Sequence, residues 1–262
     1  MLRAMYTAAS GMEAQQLNID NIAHNLANIN TTGFKTRRAQ FQDLLYQTIQ
    51  QAGASNTATT EIPVGIQVGL GTKPVATELI LSQGDFASTG NNKDLVIEGR
   101  GFFQILMTNG EIAYTRNGNF QLNQDGNFVT SDGDLLDPQI TIPEDYTGIS
   151  VGKDGTVTVT IPGQTEPQTV GRIELSLFQN PAGLEPIGKS LFLPTKASGD
   201  AIPGTPGEDG LGTLLSGFLE QSNVSVVEEM VNMIISQRAY EANSKVIRTA
   251  EEMFTQANNV VR

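Results

Sequence analysis

The sequence predicts an α+β protein: a long helix at each end, the two paired as a coiled coil, with a central, mainly antiparallel β domain between them. Three observations carry this prediction. All eleven prolines fall between Pro63 and Pro206, so both ends lack the residue that most strongly interrupts helices. Apolar residues at both ends recur at heptad spacing, the period of a helical seam. In the middle, Asn-Gly and Asp-Gly dipeptides recur between short apolar runs, the pattern of a β-meander.

From Met1 to about Asn30 the N-terminal seam runs through Leu2, Met5, Ala9, Met12, Ile19, Ala23 and Leu26, with Gln16 interrupting it. Gly33, after the Asn30-Thr31-Thr32 cluster, offers the left-handed stop that such a helix needs, and the helix is expected to end there. At the other end, Ser225 and Glu228 form a capping box, so a second helix is expected to start at Ser225. Beyond it Val226, Met233, Tyr240, Ile247, Phe254 and Val261 stand seven residues apart, and no Gly or Pro occurs from Ser225 to Arg262. A helix of that length is a rod of roughly 55 Å. Few globular cores bury such a length, so the seams are expected to find partners in other copies and to order on assembly. Each apolar side chain fully buried there contributes roughly 1.5–3 kcal/mol.

In the middle, Asn109-Gly110, Asn117-Gly118, Asp125-Gly126, Asp132-Gly133 and Asp154-Gly155 are expected hairpin turns. The alternating run Val157-Thr158-Val159-Thr160-Ile161 and the stretch from Arg172 to Gln179 are expected strands. The stretch Gln50 to Glu61 is rich in Ala, Thr, Ser and Asn, and Ala197 to Gly212 in Gly, Pro and Asp; both are expected linkers.

Composition excludes several functions. There is no cysteine, hence no disulfide framework, thiolate metal site or cysteine nucleophile. The net charge of -12, from 28 acidic and 16 basic residues, repels nucleic acid. Charged residues make up only 17% of the chain, against about 25% in ordinary soluble domains, which suits a surface that packs against neighbours. No apolar stretch is long enough to span a bilayer. The first residues lack the features of a cleaved signal peptide, so the chain is expected either to stay in the cytoplasm or to be exported without cleavage.

Two motifs invite chemistry. Gly183-Leu184-Glu185-Pro186-Ile187-Gly188-Lys189-Ser190 matches the P-loop pattern letter for letter, but Pro194 follows where the phosphate-binding helix would have to run. A P-loop nucleotide-binding protein is therefore an alternative reading of low weight. The Asp/Asn/Gly run from Asn123 to Asp137 lacks the ligand order of an EF-hand and reads as turn chemistry. His24, the single histidine, has no acid or nucleophile placed to use it. No catalytic, cofactor-binding or metal-binding residue is expected, and the chain is read as a structural protein, not an enzyme.

The run from Asn21 to Gln47, NIAHNLANINTTGFKTRRAQFQDLLYQ, resembles the N-terminal signature of the rod and hook proteins of the bacterial flagellum, and Val227 to Ile247 resembles their C-terminal one. SQGDF from Ser82 to Phe86, DLVIEGRGFFQI and YTRNGNF resemble their central domain. Ile62-Pro63-Val64-Gly65 and Thr72-Lys73-Pro74-Val75-Ala76-Thr77, together with the chain length, resemble the distal-rod branch of that family; a proximal rod or hook-type axial subunit is the runner-up. His24 and Lys189-Ser190 depart from the family pattern.

The resemblance implies a helical tubular drive shaft that carries torque from motor to hook. Residues 1–40 with 218–262 would form the polymer core, 41–85 an extended connecting segment, and 86–217 an outer β-rich domain. Ile62, Pro63, Pro74 and Val75 would brace neighbouring subunits. The implied partners are other copies of the chain, the adjacent proximal rod and hook-side axial proteins, the outer ring (bushing) proteins and the flagellar export apparatus, with no nucleic acid and no membrane insertion. The implied place is the periplasmic rod of the basal body.

Overall fold

The computed structural model describes residues 2–51, 55–57, 60–61, 63–163 and 166–260. Ile62 and Val261, both expected at contacts, lie outside the described residues, as does part of the linker expected over 50–61. No helix among the described residues is long and apolar enough to cross a membrane.

The chain forms two compact units. A helical unit comprises Met1–Ala27, Arg37–Glu78 and Ser225–Arg262; a β unit comprises Asn28–Thr36 and Leu79–Val224. Residues 28–36 and 218–224 thus pack with the β unit, and 37–78 with the helices, a division drawn differently from the boundaries expected at 40, 85 and 218.

In the helical unit, α1 is Leu2–Ala27 and α2 is Val226–Val260. The amide of Glu229 donates to the Ser225 carbonyl at 3.0 Å, so the first helical hydrogen bond closes at the expected start. At 35 residues, α2 is about 52 Å long. The first helix stops earlier than expected. Turns at Asn28–Thr31 and Thr31–Phe34 follow Ala27, and Gly33 lies six residues past the helix end rather than at its cap. It does take up a left-handed conformation, φ 69°, for a different reason. Its amide donates to the Glu220 carbonyl at 2.8 Å, and a Cβ there would sit 2.7 Å from the Asn117 amide nitrogen.

The β unit centres on a nine-stranded antiparallel sheet. Its path runs Gln121–Leu122, Phe128–Val129, Leu135–Asp137, Phe102–Leu106, Ile112–Thr115, Leu191–Leu193 and Glu185–Gly188, with Leu175–Leu177 joining Phe102–Leu106 to Ile202–Gly204. A second sheet has three strands, Gly148–Val151, Thr156–Thr160 and Gln168–Arg172. The alternation of strands sorts the core. Phe103 joins a large cluster with Ile105, Phe120, Phe128 and Val157, while its neighbour Phe102 faces a smaller one with Tyr114, Phe178 and Phe192. Edge-on ring pairs run through both, Phe103–Phe120 at 5.1 Å and Tyr114–Phe178 at 4.7 Å.

The expected hairpin turns hold at Gly110, Gly126, Gly133 and Gly155, all with positive φ, but not at Asn117-Gly118. Strand Ile112–Thr115 pairs with Phe102–Leu106 and Leu191–Leu193, not with the next strand in sequence. Gly118 is instead a close-approach glycine: its carbonyl accepts from the Leu95 amide at 3.0 Å, and a Cβ would fall 1.6 Å from the Leu95 carbonyl oxygen. The stretch from Arg172 to Gln179 also differs from one continuous strand, since Gln168–Arg172 ends in the small sheet and Leu175–Leu177 enters the large one.

The P-loop reading is overturned. Glu185–Gly188 and Leu191–Leu193 form a β-hairpin, and Lys189 and Ser190 occupy its tip with φ of 56° and 60°. No helix opens after the motif, so no helical N–H groups are there to hold phosphates. In the acidic run, the Asn123 carboxamide oxygen accepts from the amides of Asp125 and Asn127, the side-chain turn that this composition favours.

The two ends of the β unit meet on one buried carboxylate. Glu220 Oε1 accepts from Lys35 Nζ at 2.5 Å and from the Gly84 amide at 3.1 Å, and its Oε2 accepts from Arg116 Nε at 3.0 Å. All three charged residues are at most 5% exposed. Lys35 also donates to the Ser82 carbonyl at 2.8 Å, and the Arg116 guanidinium to the carbonyls of Gly99 and Gly101. Burial pulls the Lys35 ammonium below the ordinary lysine range, Glu220 opposes that shift, and the Arg116 charge adds to it. The carboxylate and the carbonyls together satisfy two buried cations, as burial of charge requires.

Candidate assembly interface

The helical unit carries the candidate site. Its helices pack against each other through a series of polar and small residues. Asn25 Nδ2 donates to Glu229 Oε1 at 3.2 Å, and Asn18 Nδ2 to Ser236 Oγ at 2.8 Å. A Cβ on Gly11 would lie 2.8 Å from Asn243 Nδ2. As residue numbers fall along α1 they rise along α2, so the helices run antiparallel. Asn25 further ties the helix to the returning chain: its Nδ2 donates to the Arg37 carbonyl at 2.9 Å and its Oδ1 accepts from the Arg37 amide at 3.0 Å.

The residues buried on the two helices are Ala8, Ala14, Ile22 and Asn25, with Glu229, Ser236 and Ala250. None of these belongs to the seams read from the sequence. Of the seam residues, Met5, Met12, Ile19 and Leu26 on α1 and Met233 and Ile247 on α2 are half-buried; Leu2, Val226, Tyr240 and Phe254 are exposed. The only trace of the contact series in the sequence is the recurrence of Asn18 and Asn25 seven residues apart, on a face whose composition reads as solvated.

Sequence reasoning also missed an outward apolar face. Over the first turns of α2, Val227, Met230, Val231, Ile234 and Ile235 are between 50% and 72% exposed. Farther along, the same face carries Arg238, Glu241, Lys245 and Arg248. A contiguous row of uncovered valine, isoleucine and methionine is the mark of a contact surface.

Residues 37–78 of the helical unit form a folded-back arm. Arg37–Asp43 hydrogen-bonds with Thr72–Leu79, Tyr46–Gln50 pairs antiparallel with Ile66–Gly69, and Ser55–Thr57 pairs with Thr60–Glu61. The arm is docked on α1. Arg3 Nη1 donates to Gln47 Oε1 at 2.9 Å, and the Thr72 amide to Ser10 Oγ at 3.3 Å. Gly71 comes so near α1 that a Cβ would overlap Ser10 Oγ. At its base Glu78 Oε2 accepts from Arg38 and Gln40, and these bonds hold its carboxyl below the ordinary range. Pro63, Pro74 and Val75, expected to brace neighbours, are exposed on this arm, with Leu45, Tyr46, Ile49 and Val64.

Comparison with known proteins agrees at both ends and in the middle. Residues 5–35 match the family described as flagella basal body rod protein, residues 96–159 the flagellar hook protein FlgE/F/G D1 domain, and residues 215–260 the flagellar basal body rod FlgEFG protein C-terminal family. Among curated relatives, the flagellar basal-body rod protein FlgG of Borreliella burgdorferi is 51% identical over 264 residues, covering all of both chains. The same-named protein of Caulobacter vibrioides is 51% identical over 262 residues, again covering all of both, and that of Bacillus subtilis is 39% identical over 267 residues at full coverage. With identity of this order along the whole chain, and family matches for its first helix, its β unit and its last helix, this protein belongs to the flagellar basal-body rod protein family.

Proposed function

We propose that this chain is the structural subunit of the distal rod of the flagellar basal body, polymerising into a helical tube that transmits torque from motor to hook. Its work is mechanical rather than catalytic. The observation that carries the reading is the uncovered apolar face of α2, Val227 to Ile235, in a chain similar from end to end to flagellar rod proteins. In this reading α1 and α2 form a coiled-coil core, the seam residues Leu2, Tyr240, Ile247, Phe254 and Val261 meet neighbouring copies, and the arm braces adjacent subunits through Ile62, Pro63, Pro74 and Val75. The rod would lie in the periplasm, reached through the flagellar export apparatus without a cleaved signal peptide, and would touch proximal rod, hook-side and outer ring proteins.

The test is Val231→Asp with Ile234→Asp in the full chain, followed by sedimentation and electron microscopy. The wild-type chain should associate into rods with increasing concentration. The variant should keep its circular dichroism spectrum and remain monomeric. Rods of unchanged length and yield from the variant would overturn the assignment of this face.

A further inference from the structure

The contacts between α1 and α2 follow one arithmetic rule. Asn25 meets Glu229, Asn18 meets Ser236, and Gly11 meets Asn243; each rung lies seven residues from the last on both helices, and the two numbers of every rung add to 254. Asn25, Glu229 and Ser236 are at most 9% exposed. Buried polar atoms of this kind stabilise less than apolar ones of equal size, so a series of them calls for a reason other than strength.

The reason lies in the apolar residues beside them. Met5, Met12, Ile19 and Leu26 stand seven apart on α1, and Met233, Tyr240, Ile247 and Phe254 seven apart on α2. A slip of α2 along α1 by seven residues therefore replaces each apolar neighbour with an equivalent one. Apolar burial is non-directional and discriminates poorly between the two registers. The middle rung does not discriminate either, since Ser236 would exchange Asn18 for Asn25, but the two outer rungs do. In the register where paired numbers add to 261, Glu229 would face position 32, beyond the end of α1 at Ala27, and would lose its amide donor. Asn243 would face Asn18 in place of Gly11, where even a Cβ comes within 2.8 Å of its side chain.

We propose that the two outer rungs of this ladder, Asn25–Glu229 and Gly11–Asn243, are the register lock of this protein: they select the observed pairing of the terminal helices over the one whose numbers add to 261, giving up stability to do so. A polar residue in an otherwise apolar seam can fix register in this way. The inference stands on contacts within one chain and is independent of the proposal that the chain builds a rod.

The absence of cysteine makes the test direct. In the full-length chain, Ala4→Cys with Ala250→Cys reports the observed register, since these positions continue the rule. Ala4→Cys with Ala257→Cys reports the register shifted by seven. Oxidised at high dilution, each intramolecular disulfide is read as a faster-migrating monomer on a non-reducing gel. With the ladder intact, the first pair should cross-link about tenfold more than the second, the ratio expected for one satisfied buried hydrogen-bonded rung. With Glu229→Leu and Asn243→Ala added, which remove the two features that disfavour the shifted register, the ratio should fall towards one while helical circular dichroism is kept or rises. Glu229→Gln alone keeps an acceptor for Asn25 Nδ2 and should keep the preference. An unchanged ratio in the leucine variant would overturn the proposal. Loss of helix in that variant would also overturn it, because the ladder would then supply strength and not choice. Sedimentation of the same proteins separates this outcome from any failure of assembly.

Discussion

Replacing Glu220 with Gln tests how the β unit holds the ends of its own chain. The substitution keeps the shape of the side chain and removes its charge, leaving Lys35 and Arg116 buried with carbonyl partners alone. Uncoupling a buried ion pair by removing one partner costs about 3–5 kcal/mol, most of it the penalty of the charge left behind. Here two cations are left, and the carboxamide NH2 must face one of them, so the upper half of that range is expected. For a unit of this size, 1 kcal/mol moves the midpoint by about 2–4 °C, so the midpoint should fall by roughly 8–20 °C. Near-UV circular dichroism is the appropriate probe, because Tyr114 packs edge-on against Phe178 at 4.7 Å within the same unit. Lys35→Met alone should cost less than Glu220→Gln, because Glu220 keeps Arg116. The double variant should be more stable than the two single losses predict, with a coupling of about 1–3 kcal/mol. A Glu220→Gln protein that unfolds within about 1 kcal/mol of wild type would refute the assignment of this carboxylate as the common anchor.

Two further predictions follow from local geometry. Burial raises the Glu229 carboxyl above its ordinary value of 4.5, the Asn25 hydrogen bond opposes the rise, and Glu228 adds to it. A carboxyl raised on folding contributes stability that is complete below 4.5 and lost as pH climbs through the folded value. Thermal unfolding followed at 222 nm should therefore show the helical unit weakening as pH rises above 4.5, and Glu229→Gln should flatten that slope; an identical slope in the variant would count against it. Gly33 and Gly90 offer a matched pair, since both have φ of 69° but only Gly33 has backbone within reach of a Cβ. Alanine at Gly90 should cost about 1–2 kcal/mol for the left-handed conformation, and alanine at Gly33 clearly more, as urea midpoints would show; equal losses would mean that the Asn117 contact yields freely.

Much of the architecture was legible because it is written in local periodicity. The helix at each end follows from the absence of proline and the heptads, and four of the five named turns follow from Asn-Gly or Asp-Gly steps. Asn117-Gly118 misled because the same letters serve a close approach to Leu95, and a dipeptide cannot tell a tight turn from a tight fit. The P-loop letters misled in the same way, with the two residues at the hairpin tip posing as the lysine and serine of a phosphate site. The contact face of the helices was hidden for another reason. A search for large apolar residues passes over Ala8, Ser236 and Ala250, which are buried because helices approach closely where side chains are small. Lys35, Arg116 and Glu220 carried no local signal at all, since their meeting is a property of the folded topology.

The distance in sequence between Lys35 and Glu220, 185 positions, sets an order of events. Whichever end of the β unit becomes available first must leave its charge in water until almost everything between has been delivered. Such far-apart pairings close late and slowly. A chain made from its amino end therefore settles this unit into shape only once Glu220 has followed Lys35, which keeps the leading portion unsettled until then.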